Sequence, residues 1–257
     1  MKQLLTVMAA FAILFTSNVT LQAQSVDEII DNYFETIGGR DNVAAIKSMK
    51  ATAKAKVQGM DLPVTMLSEA PNKQRIDIVF QGQEITQMAF DGETGWTTNF
   101  MTMEAEAMDQ QSSDIMKEQS SFPDAFLDYK DKGHTLELQG EEEVEGVPCF
   151  KLKLTRSPVT IDGKEEENAS IYFFDKESFV PIMQRDYALV GPQKGTATET
   201  YLSDYDEVNG VYFAFTIAQR INGMDVFNIS IDNIELNVEV PDDTFKMPEK
   251  KAEEEKK

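Results

Sequence analysis

The sequence is most informative through what it lacks. It holds one cysteine, one histidine and one tryptophan in 257 residues. A lone Cys149 excludes an intrachain disulfide. One histidine and one cysteine also exclude metal sites built on those ligands. Cys149 lies in VPCFKLKLT, an alternating strand pattern with no histidine nearby, so it is expected as a core residue rather than a nucleophile. His134 opens another strand pattern, GHTLEL, and is expected at a strand edge; no Gly-x-Ser-x-Gly surrounds any serine. Basic residues are scarce as well: 24 Lys and Arg stand against 45 Asp and Glu, for a formal charge of −21. That balance opposes nucleic acid and anionic surfaces, and no nucleic-acid partner is expected. Gly-rich phosphate loops and dedicated calcium loops are missing. The acidic runs at 141–143 and 165–167 therefore read as solvated hairpin tips. No cofactor, no metal and no catalytic residue is expected, and the chain is not expected to be an enzyme.

The longest apolar run, Leu4 to Phe15, is too short to span a bilayer. Preceded by Lys2 and followed by small Ala23, it reads as a signal peptide over residues 1–23, cleaved near Ala23. No cysteine follows for lipid attachment, so an exported, soluble product is expected. At the other end, residues 249–257 (EKKAEEEKK) carry no apolar residue larger than alanine and read as a disordered tail.

Between these ends one domain, residues 24–248, is expected, because no linker-like stretch divides it. Its first segment is a helix. Ser25 and Glu28 have the spacing of a capping box, Val26, Ile29, Ile30, Tyr33, Phe34 and Ile37 form one apolar face, and Gly38 and Gly39 end it. From Lys47 the period changes to two. Strand patterns separated by short turns then run to residue 98 and resume from His134 to Asn237, with hairpin signals at Asn209-Gly210 and Asn222-Gly223. PDDTFKMP (241–248) is expected to dock through Phe245. About eleven strands in antiparallel succession must curl, close or split. The spacing therefore predicts a mainly β protein with some α: an incomplete antiparallel β-barrel, or curved sheet, that buries the N-terminal helix on its concave side.

Residues 101–130 interrupt the strands. The stretch 101–119 is rich in Met, Ala, Glu and Gln and reads as helical, and FPDAFLDYKDKG (122–133) reads as a second short helix with Phe122, Phe126 and Tyr129 on one face. Together they form a candidate helical lid. Methionine, thirteen in the chain, lines adaptable apolar surfaces, and it clusters in the first half and this insertion. The candidate cavity and lid residues are Met66, Phe80, Met88, Phe90, Trp96, Met101, Met108 and Phe126, with Arg75 and Arg185 as candidate head-group contacts. Trp96, after the DGETG turn, either sits at a cavity mouth or supports the sheet from within.

Several segments carry a family likeness: GGRD (38–41), IKS (46–48), the Pro-Asn-Lys turn and following Arg75, DGETGW (91–96), LQGEEEVEGVPCFKLKL (138–154), YFFDKESFVPI (172–182), LSDYDEVNGVYFAF (202–215) and DTFKMP (243–248). The chain resembles the exported LolA-like, outer-membrane lipoprotein-sorting proteins of Bacteroidetes-type bacteria. It departs from them at Ala214, where relatives carry proline. The resemblance implies an incomplete barrel with a helical lid over an apolar cavity. It further implies a periplasmic carrier or chaperone, expected to be monomeric, that holds lipid or lipoprotein acyl chains and meets envelope proteins of the inner and outer membranes, as in outer-membrane lipoprotein sorting. The other reading of the same residues is a non-catalytic envelope sensor or interaction module whose interior is a filled core.

Overall fold

The computed structural model describes residues 24–57 and 59–249. The expected signal peptide, and all of the expected disordered tail but Glu249, lie outside the described residues.

The first helix, α1 (Val26–Thr36), is capped as its sequence dictates. Ser25 Oγ accepts the Glu28 N–H at 3.2 Å, and Glu28 Oε2 accepts the Ser25 N–H at 2.8 Å. Two otherwise orphaned donors are thereby satisfied. Ile29, Ile30, Tyr33, Phe34 and the C-cap residue Ile37 are buried. Gly38 then turns the chain at φ +110°, and a Cβ there would stand 2.0 Å from the Gly210 carbonyl oxygen. Only glycine permits both the left-handed backbone and that approach. A short α2 (Arg40–Ala44) leads into the sheet.

The strands follow in order as β1 (Ser48–Val57), β2 (Met60–Glu69), β3 (Lys73–Phe80), β4 (Gln83–Phe90), β5 (Gly95–Asn99) and β6 (Glu104–Ala107). After the helix α3 (Gln110–Gln119) come β7 (Thr135–Val144), β8 (Val147–Thr155) and the small hairpin β9 (Val159–Ile161) and β10 (Lys164–Glu166). The chain closes with β11 (Ala169–Asp175), β12 (Pro181–Tyr187), β13 (Ala197–Val208), β14 (Val211–Ile221) and β15 (Met224–Leu236). Among the described residues, thirteen strands form one sheet in the order β6-β5-β4-β3-β2-β1-β15-β14-β13-β12-β11-β8-β7. Neighbours are antiparallel throughout, and β9 pairs only with β10.

The sheet is open and curved, not a closed barrel. Its edges, β6 and β7, are consecutive in sequence yet stand at opposite ends. The connection 108–134 therefore crosses from one edge to the other. Both edges are acidic, with Glu104 and Glu106 on β6 and four glutamates on β7, which suits strands that must not recruit another chain.

The helical reading of 101–130 is corrected in two places. Residues 104–107 form β6, which pairs with β5 from Trp96↔Ala107 to Asn99↔Glu104. The helix begins only after Asp109, whose side chain accepts the Ser112 N–H at 2.7 Å. No second helix forms over 122–133. Asp124 Oδ1 takes the Phe126 N–H at 2.7 Å, and Asp128 sits at φ +55°, so side-chain turns replace the helical ladder. Phe126 and Tyr129 are buried nonetheless.

Candidate functional site

Alternation along each strand gives the sheet two faces, and α1 defines the inner one. On β8 the inner residues are Phe150, Leu152 and Leu154; on β11 they are Tyr172 and Phe174. These pack with α1 and with Phe126 into a single core. Tyr33 stands edge-on to Phe174 at 5.5 Å and to Phe126 at 5.6 Å, and Phe126 meets Tyr172 at 4.8 Å. The Tyr33 hydroxyl donates to Asp124 Oδ2 at 2.6 Å. Burial pushes the Asp124 carboxyl above its ordinary value and the Tyr33 phenol well above its own, with the neighbouring Asp124 charge adding to the latter. This part of the inner face is closed.

Along β1–β4 and β15 the same face is different. The strand MKATAKAKV sends lysines outward and Ala51, Ala53 and Ala55 inward. Ala53 pairs with Val64 on one side and Ile231 on the other, and Ala51 with Met66 and Ile234. Ile76, Ile78, Ile229 and Ile217 continue the row. Ala53 and Ala55 are buried with Val64, Ile78 and Ile85, while short Ala51 among longer aliphatic side chains leaves a trough. It forms a cleft of about 270 Å³ lined by Met49, Ala51, Met66, Ile76, Ile231 and Phe213 among others. Met66, Ile76, Ile217, Ile229 and Ile231 remain only partly buried. A second cleft of about 450 Å³ lies between Ile115, Met116 and Gln119 of α3, Gln74 on β3 and Val190 in the β12–β13 loop. Gln74 lines both clefts, and its Nε2 donates to Ser120 Oγ at 2.9 Å.

Of the residues singled out from sequence, Met66 lines the trough and Phe80 packs at its far end. Met88 pairs with Ile76 and shares the inner face. Phe90 is fully buried, paired with Gln74 and Gly95. Met108 lies against the bare Cα of Gly95, at the start of the crossing segment. Phe126 belongs to the closed core and Met101 is 92% exposed on the β5–β6 turn, so neither lines the trough. Arg75 is among the residues that line the trough, while its guanidinium, like Trp96 and Arg185, bonds on the outer face. Trp96 Nε1 donates to the Phe245 carbonyl at 3.0 Å and Arg75 Nη1 to the Thr244 carbonyl at 2.7 Å, which straps the C-terminal segment across the outside. Arg75 also pairs with Asp77 at 2.8 Å. Arg185 pairs with Glu199 at 2.9 Å and lies over Phe173. The alternation of Lys and Ala in β1 and of Ile in NISIDNIEL was the available signal for the trough; counting methionines passed over Ala51, Ala53, Ile217, Ile229 and Ile231.

Neither Cys149 nor His134 lines the trough. Cys149 is buried on the outer face and burial pushes its thiol up to about 11. Burial, with the charges of Arg156 and Lys132, holds His134 below the usual imidazole value. Among the described residues, no group of three or more His, Cys, Asp or Glu could hold a metal ion, and no helix is long and apolar enough to cross a membrane.

No protein-family model matches the chain, and no curated protein matches it. Solved structures do. A DUF1329 family protein from Desulfovibrio piger is 16% identical, with 86% of this chain and 97% of that one covered at a TM-score of 0.52. A LolA superfamily protein from Nitrosomonas europaea is 14% identical, with 87% and 98% covered and the same TM-score of 0.52. An outer-membrane lipoprotein-sorting protein domain from Vibrio parahaemolyticus is 11% identical, with 85% and 95% covered at 0.50. The fold is LolA-like.

Proposed function

We propose that the protein is a periplasmic carrier or chaperone that holds the acyl chain of a lipid or lipoprotein in the trough between β1–β4, β15 and the crossing segment. The observation that carries this reading is the aliphatic cleft lined by Ala51, Met66, Ile76, Ile217 and Ile231. A row of isoleucines without an apolar cover is costly in water, and each methylene laid on it contributes about 0.8 kcal/mol. No polar anchor is needed for the tail. The likeness to a lipoprotein-sorting domain supports the same reading, as does the leader-like sequence at residues 1–23.

In this reading α1 is the fixed wall. The segment 101–130, with α3 at its centre, is the movable one, because α3 is tied down mainly by polar links: Lys117 to Glu93, Gln111 to Asp162, Ser113 Oγ to the Gly95 N–H, and Gln74 and Asn168 at its C-terminal end. Outer-membrane lipoprotein sorting is the specific role proposed, with inner- and outer-membrane proteins as donor and receiver.

The test is a titration with a fluorescent long-chain fatty acid, paired with native mass spectrometry of protein isolated from an envelope fraction. Saturable fluorescence change and co-purified lipid are expected. The absence of both a fluorescence change and a lipid adduct would overturn the carrier reading and leave an interaction module with a filled core.

A further inference from the structure

Three buried side-chain nitrogens have no hydrogen-bond partner among the described residues: Arg156 Nε, Asn168 Nδ2 and His134 Nδ1. They belong to one neighbourhood. Arg156 follows β8 and its N–H donates to the Asn168 carbonyl at 2.9 Å. Thr135 pairs with Thr155, so His134 and Arg156 lie one step beyond that pair at the same end of the sheet. All three continue the inner-face alternation of Leu136, Leu154 and Tyr172.

Arg156 is 5% exposed and Asn168 0%. The guanidinium uses Nη1 on Ser170 Oγ at 2.9 Å and Nη2 on the Tyr172 hydroxyl at 3.2 Å. Both partners are neutral. The nearest carboxylate in this chain of bonds, Asp186, is reached only through Ser170, which donates to it; Asp186 also accepts from Gln184 Nε2 at 2.8 Å. A buried cation with no directly bonded anion and a spare donor is expensive, and so is a buried amide with both N–H bonds unused. Oxygen acceptors would satisfy both groups.

The cluster is roofed by the lid. Gln119, in the last turn of α3, donates to Asn168 Oδ1 at 3.1 Å. The same Gln119 lines the cleft beneath α3, and that cleft meets the apolar trough at Gln74. An apolar floor, a gated passage and a buried pair of unused donors thus lie in sequence along one inner face. We propose that Arg156 Nε and Asn168 Nδ2 receive the carboxylate of a long-chain fatty acid whose tail lies in the trough, a site that rests on the carrier reading. One carboxylate oxygen satisfies each donor, and the guanidinium gains a direct counter-charge. His134 lies beside Arg156 at the same end of the sheet with its own unused nitrogen. Loading requires Gln119 to release Asn168, which ties head-group capture to the position of α3.

Calorimetric titration of the full chain, freed of lipid on a hydrophobic resin, tests this with dodecanoate, dodecanol and acetate. Dodecanoate is expected to bind about tenfold more tightly than dodecanol, the scale of one charge-assisted hydrogen bond, and acetate not at all. In Asn168→Ala and Arg156→Gln the preference falls to about parity. Equal affinities in the unaltered chain would overturn the head-group site, leave the three nitrogens to a buried water, and spare the carrier reading. Binding of neither long-chain ligand would overturn the carrier reading itself. Acetate binding that depends on Asn168 would make the cluster a small-anion site and overturn the lipid assignment. Should Arg156→Gln fail to fold, the dodecanoate preference of the unaltered chain and its loss in Asn168→Ala still decide.

Discussion

The two halves of the inner face rest on one continuous hydrogen-bonded ladder and obey the same alternation, yet they are finished differently. Around β8 and β11 the inward residues are aromatic or large, and α1 and Phe126 are pressed onto them. Around β1, β2, β3 and β15 they are alanine and branched aliphatics, and no helix seals them. The first half is filled by the chain's own rings. The second leaves space in front of β1 where short Ala51 faces Met66, Ile76 and Ile231. Burial in a β protein thus depends on which side chains face inward and on whether another element is long enough to cover them.

Substitutions can break this contrast, starting with the closed half. Phe174→Ala removes a fully buried ring from the Tyr33 and Phe126 contacts. A loss of about 3–5 kcal/mol is expected in denaturant unfolding. A smaller loss would mean that the closed half has slack to collapse into the cavity.

Next is the polar pair inside that half. Tyr33→Phe strips the hydrogen bond from Asp124 and should cost about 1–3 kcal/mol. The pH dependence has a definite sign. Because the folded pKa of Asp124 is raised, the stability its protonated form contributes is fully present below the ordinary carboxylate value of 3.8 and is lost as pH rises through the folded value. Asp124→Asn should lack that loss, so urea midpoints measured upward from pH 3.5 should converge on, or cross, those of the unaltered chain. Parallel curves would contradict the assignment.

In the open half, Ile231→Ser alters a partly exposed floor residue. About 1–2 kcal/mol of stability is expected to go, with roughly a tenfold weaker fatty-acid Kd in the fluorescence titration. Equal effects of Ile231→Ser and Phe174→Ala on unfolding would erase the distinction between the halves. The smallest change belongs to Met101→Ser: at 92% exposure it should move stability by less than about 0.5 kcal/mol and leave binding alone.

Much of the closed half was legible in the sequence. The capping box of α1, its apolar face and the glycine stop are local features, and local features are where periodicity speaks plainly. The strand succession and the docking of Phe245 were readable for the same reason. The crossing segment was not. EAEA has helical composition, but an open edge at β5 offered it a ladder, and tertiary pairing outweighs a weak intrinsic preference. Residues 122–133 share the spacing of a helix while Asp124 and Asp128 spend their side chains and backbone on turns. Trp96, read from the DGETG turn as either a cavity mouth or a support of the sheet, supports the sheet, and Arg185 bonds on the outer face. Which face a residue occupies depends on register, and the bulge between Ile76 and Asp77 and the strap through Thr244 and Phe245 are set by partners far away in sequence.

The unpaired edges carry a mechanical consequence. A closed barrel has a circumference dictated by its strand count and stagger. Here β6 and β7 never meet, and the chain between them acts as a bowstring across the gap. The girth of the trough is then a matter of twist and tether length rather than of broken bonds. The sheet can widen or narrow with every rung of the ladder intact.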